Sequence, residues 1–141
     1  MTAKLEFASR AWLEALEELL RIYAAAAGPE LQLTMCEVFT GVPHHLDADG
    51  DGVIAWHCRI GEGRVDFAEG ETSEVCDFKT IVDYQAVLPI ARWVVTAENR
   101  PQYDAMVAKA TAEGKMRQVA NTGKIPASFY NMHNDLAVRT L

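Results

Sequence analysis

At 141 residues, with half of them apolar, the chain is long enough to bury a core without disulfide or metal staples, and residues 1–141 read as one domain. Twenty acidic against thirteen basic side chains give a formal charge of −7, which repels both a phosphate backbone and an anionic leaflet. A nucleic-acid partner is therefore disfavoured, and stable membrane insertion is not expected because no stretch reaches the roughly 18 apolar residues of a spanning helix. The opening residues from Met1 to Phe7 carry acid early and lack the apolar core of an export signal. Cys36, Cys58 and Cys76 are odd in number and lie in strand-like runs, as reduced thiols of a cytoplasmic protein would.

The first element is a helix: Trp12, Leu16, Leu19, Leu20 and Tyr23 recur at spacings of three and four, with Ser9 placed to cap it and Gly28-Pro29 to stop it. From Leu31 to Val42 the period falls to about two. Leu31, Leu33 and Met35 share one face and Thr34, Cys36 and Val38 the other, so this strand is covered on both sides. Val53 to Ile60 and Arg64 to Ala68 form a hairpin across Gly61-Glu62-Gly63. A fourth strand is expected over Glu74 to Val82, with Val75, Asp77, Lys79 and Ile81 alternating against Cys76, Phe78, Thr80 and Val82.

Asp83 is placed to cap a helix holding Tyr84, Val87, Leu88, Ala91 and Trp93, which Pro89 should bend or break. After Asn99-Arg100-Pro101 the stripe Tyr103, Met106, Val107, Ala110 predicts a helix ending before Gly114. Lys115 to Val119 alternates like a half-buried edge strand closed by Asn121-Thr122-Gly123, and a last helix is expected from about Ala127 towards Leu141. The fold class is thus α+β: a five-stranded, mainly antiparallel sheet covered by helices.

Motifs with chemical potential are few. Asp47-Ala48-Asp49-Gly50-Asp51-Gly52 matches the start of a calcium-binding EF-hand loop, but Cys58 stands where the bidentate glutamate belongs, so a tight turn is the first reading and a weak, open cation site the alternative. His44 and His45, adjacent in an extended segment, would point apart and cannot chelate one ion together; no metal and no cofactor are expected. Cys58 beside His57, and His133 beside Asp135, supply nucleophile and base types without a spacing that brings them face to face, so no catalytic residues are assigned. Large, soft side chains gather in the second half: Phe78, Trp93, Met106, Met116, Phe129 and Met132 are the candidate lining of an apolar cavity, with core as the alternative.

The order of elements resembles the sterol carrier protein 2 (SCP2) domain. The local matches are Phe7-Ala8-Ser9 before Trp12-Leu13 and Leu16, Gly61-Glu62-Gly63-Arg64-Val65, Cys76-Asp77-Phe78-Lys79 before Asp83-Tyr84, and Gly114 to Val119. The resemblance implies a five-stranded sheet backed by helices around an apolar tunnel, and a carrier of a fatty-acyl, sterol-like or aromatic ligand. Two departures stand against the pattern: a helix between Ala97 and Ala112, and a polar tail containing Asn131-Met132-His133-Asn134. The alternative is a small cone-fold enzyme of the SnoaL/NTF2-like kind, an isomerase, dehydratase or cyclase in which Asp83, Tyr84, Tyr130 or His133 moves a proton on an apolar substrate. A third reading gives the same apolar face to a partner protein, such as an identical copy in a homodimer.

Overall fold

The computed structural model describes residues 3–47, 49–122 and 124–141. Helix α1 spans Arg10–Ala27; Ser9 Oγ accepts from the Trp12 amide at 3.2 Å, and Gly28 ends the helix at φ 97°, a backbone setting that a side chain would resist. Strands β1 (Leu33–Thr40), β2 (Val53–Gly61) and β3 (Arg64–Glu69) follow, then β4 (Phe78–Asp83), α2 (Tyr84–Arg92), α3 (Arg100–Ala112), β5 (Met116–Asn121) and α4 (Phe129–Ala137). None of the helices described is long and apolar enough to cross a membrane.

The five strands form one sheet in the order β3-β2-β1-β4-β5. Every pairing is antiparallel except that of β1 with β4. That parallel pair follows from the connection after β3, which carries the chain past β2 and β1 to the far side of β1. Along the connection Cys76 packs with Cys36, Val38 and Ala55, so it covers part of the sheet face that the helices leave bare. Asp77 then locks it to β1: Asp77 Oδ2 accepts from the Thr34 amide at 2.9 Å, and the Asp77 amide donates to Thr34 Oγ1 at 2.8 Å.

This crossing corrects the expected fourth strand. Ladder pairing begins only at Phe78, Val75 is 95% exposed, and Cys76 lies outside any strand. The ends of two other elements also differ from expectation. Helix α2 runs through Pro89, because the carbonyl freed by its missing N–H belongs to Gln85, and both residues sit on the exposed side. Helix α4 stops at Ala137 rather than Leu141, since the tail pairs with the start of the chain: the Leu5 amide donates to Arg139 O at 2.6 Å and the Leu141 amide to Leu5 O at 2.7 Å. Trp12 Nε1 seals the same junction by donating to Thr140 Oγ1 at 3.1 Å.

The core lies between the sheet and α1. Phe7, Trp12, Phe39 and Tyr84 form an edge-to-face and tilted cluster with Phe7 at its centre, its ring 4.8 Å from Trp12, 4.9 Å from Phe39 and 5.4 Å from Tyr84. Leu20 and Leu33 are fully buried beside it.

Candidate functional site

On the helix-bearing face, the alternation of β1 places Leu33, Met35, Glu37 and Phe39 on one side, and the register sets Glu37 opposite Trp56 of β2 and Thr80 of β4. Beyond the aromatic core this face is not filled. A cavity of about 700 Å³ lies between the sheet and the helices, within the roughly 300–1,000 Å³ range of small-molecule pockets. Its floor is Met35, Glu37, Trp56, Phe78, Thr80 and Met116, and Phe7, Trp12, Leu16 and Phe39 of the core border it; α2 contributes Val87, Ile90 and Ala91, and α3 contributes Tyr103, Asp104 and Val107. Phe129, Met132, His133 and Leu136 of α4 form the remaining wall, and Ile125 and Tyr130, both substantially exposed, stand at its rim.

Several polar groups on this wall are tied down. His133 donates from Nε2 to Trp93 O at 2.8 Å, which fixes the neutral tautomer, and burial lowers its pKa below the ordinary imidazole value. Asn134 clamps Val95 from both sides, accepting from its amide and donating to its carbonyl, each at 2.8 Å. The polar run from Asn131 to Asn134 is thereby explained: its last two side chains hold the segment after α2. At the rim Arg100 Nε donates to Asp104 at 3.0 Å and its Nη2 to the Tyr130 hydroxyl at 2.9 Å, which joins α3 to α4. Burial raises the Tyr103 phenol above its usual range.

Glu37 keeps one carboxyl oxygen without a hydrogen bond among the described residues. Burial pushes its carboxyl up to about 7, although the Trp56 indole N–H, donating to Oε1 at 3.1 Å, favours the ionised form. Its residual exposure is towards the cavity that it lines.

Four of the six expected lining residues, Phe78, Met116, Phe129 and Met132, are brought together on this wall. Trp93 and Met106 are not. Trp93 ends α2 in extended backbone, and its carbonyl is held by His133 outside the cavity. Met106 packs against the core from α3, but the cavity-facing stripe of that helix is Tyr103 and Val107, and Met106 lies about 100° round from Val107. Glu37, Trp56, Thr80 and Tyr103 are among the wall residues that sequence reasoning missed. For Glu37 the signal was present: it has the same parity as Leu33 and Met35 in a strand read as covered on both faces.

The groups weighed for acid/base or metal chemistry have structural tasks. Asp83 caps α2 by accepting from the Ala86 amide at 3.1 Å, and the Tyr84 hydroxyl donates to Phe7 O at 3.4 Å. His57 and Cys58 alternate to opposite faces; His57 Nδ1 donates to Gly70 O, while burial pushes the Cys58 thiol up to about 12, far from a thiolate. The Asp47 carboxylate accepts from the Gly50 and Gly52 amides, which is turn chemistry, and Ala48 lies outside the described residues, as does Gly123 of the later turn. His44 and His45 occupy a short 3₁₀ turn instead of an extended segment, since the chain must reverse there, and His45 Nε2 meets Glu6 at 2.6 Å.

Solved structures share this arrangement of sheet and helices. One is the solution structure of a conserved hypothetical protein from Thermus thermophilus, described as possibly a sterol carrier protein; it matches over 97% of this chain and 96% of its own, with a TM-score of 0.55 and 12% identity. Another is the crystal structure of sterol carrier protein 2, which matches over 94% of this chain and 95% of its own, with a TM-score of 0.51 and 15% identity. The chain has the SCP2-like fold. No protein-family model matches the sequence, and no curated protein matches it. Within the SCP2-like fold, α3 is the helix that stood out as a departure in the sequence, and it supplies one wall of the cavity. A helix, α4, follows the last strand.

Proposed function

We propose that residues 1–141 form a single binding domain that carries a small hydrophobic molecule in the cavity between the sheet and helices α2 to α4. The observation that carries this reading is the cavity itself: about 700 Å³ walled by aliphatic, aromatic and methionine side chains. Burying the ligand's apolar surface there would supply affinity at roughly 25 cal/mol per Å², before the costs of association. Methionines at Met35, Met116 and Met132 let the wall follow ligands of differing outline. The SCP2-like fold supports the same reading, and three buried free thiols support a reducing, cytoplasmic setting.

Native mass spectrometry of protein purified from its own cells, compared with the mass after denaturing organic extraction, tests this. The expected result is a non-covalent mass of a few hundred daltons that partitions into the organic phase. A clean protein mass, under conditions that retain lipid on a control carrier, would count against a carrier role.

A further inference from the structure

Among the described residues the cavity wall carries two acidic side chains, Glu37 and Asp104, and neither lysine nor arginine. Asp104 is already paired with Arg100 at the rim. Glu37 has no such partner: Oε1 takes the Trp56 indole N–H, whereas Oε2 has no hydrogen bond among the described residues and is not enclosed by protein, so it faces the cavity. The rings of Phe39, Trp56, Phe78 and Tyr103 border the same space.

These features sort ligand head groups. A free carboxylate would place a second anion beside Glu37, and the cation at the rim, Arg100, is already engaged by Asp104 and the Tyr130 hydroxyl. A wholly apolar molecule would cover Oε2 and leave a carboxyl oxygen without a partner, which costs free energy. A protonated amine would satisfy that oxygen with a charge-assisted bond and could lie against aromatic faces, the surroundings in which organic cations are held. We propose that the cavity selects an apolar molecule bearing one protonated amine, its nitrogen held at Glu37 Oε2 and against the rings of Trp56 and Tyr103. This rests on the carrier reading and narrows it to one chemical class.

Glu37 alone titrates near neutrality among the groups with shifted pKa values around it. Facing it are Trp56 and Cys58 from β2, Thr80 from β4, Gln118 from β5, Tyr103 and Asp104 from α3, and His133 from α4. The Cys58 thiol and the Tyr103 phenol are shifted upward and the His133 imidazole downward, each away from neutrality. An amine that binds the ionised Glu37 carboxyl, with its pKa of about 7, should therefore bind about tenfold more tightly at pH 8 than at pH 6.

Calorimetric titration with dodecylamine, dodecanol and dodecanoate, each below its micelle concentration and at one ionic strength, decides the matter. The amine is expected to bind tightest. Glu37→Gln should weaken it about tenfold or more while moving dodecanol less than about threefold. A preference that disappears in this variant cannot come from the acidic outer surface. Should the variant fail to fold, the wild-type pH profile decides, rising for the amine and flat for the alcohol. Dodecanoate binding as tightly as the amine, or an amine affinity indifferent to Glu37 and to pH, would overturn the amine assignment while dodecanol binding left the carrier reading standing. Failure of all three to bind would overturn both.

Discussion

The helix-bearing face of the sheet has a sealed end and an open end. At the sealed end α1 buries Trp12, Leu13, Ala15, Leu16, Leu20 and Ala24, and the rings of Phe7, Trp12 and Phe39 interlock. At the open end α3 buries only Ala110, and Tyr103, Val107, Met116 and Met132 remain half-buried around the cavity. Both ends use apolar residues; the difference is whether facing side chains reach one another. Close-packed interiors lose stability steeply when an atom is removed, whereas a wall that already faces empty space loses few contacts. Stability is thus concentrated under α1, and the capacity to take up a molecule under α3 and α4.

Truncation at the two ends should separate these roles. Phe39→Ala is expected to cost about 3–5 kcal/mol, since the ring is fully buried between Phe7 and Trp12. Met132→Ala should cost only about 1 kcal/mol. Denaturant unfolding of both variants checks the contrast, and equal losses would break it.

A smaller, pH-dependent effect belongs to Glu37. Its carboxyl titrates at about 7 when folded, above the value of 4.5 that it has free in water. The folded state therefore holds the proton more tightly, and the stability this contributes is present in full below about pH 4.5 and is lost as pH rises through about 7. The loss is on the order of 3 kcal/mol. Glu37→Gln should lack this fall, so the stability difference between variant and wild type should grow from about pH 5 to about pH 7 and then level off. A constant difference would mean that Glu37 is better solvated than its place in the cavity implies.

Most of the scaffold was legible because its signals are local. Ser9 and Gly28 bound α1, Gly61-Glu62-Gly63 turns the β2–β3 hairpin, and Asp83 starts α2, each through chemistry within a few residues. What sequence reasoning misplaced depends on distant partners. The start of β4 waits on Asp77 meeting Thr34, 43 residues away, and the end of α4 on Arg139 and Leu141 meeting Leu5. The cavity was legible in part for the same reason. Phe78, Met116, Phe129 and Met132 stand out as large apolar residues, but the stripe that α3 turns inward depends on how that helix docks, and this exchanged Met106 for Tyr103 and Val107. Glu37 was readable from strand parity, yet its importance appears only once Trp56, Thr80 and Tyr103 surround it.

The most direct test of a binding cavity at the open end is a titration of the isotope-labelled protein with dodecanol, followed through its backbone amide resonances. Saturable shifts should gather on β1, β4, β5, α3 and α4, around Glu37, Thr80, Val107, Met116 and Met132, and leave the solvent face of α1 unmoved. Shifts scattered over the outer surface, or none at concentrations that saturate a control carrier, would contradict the account.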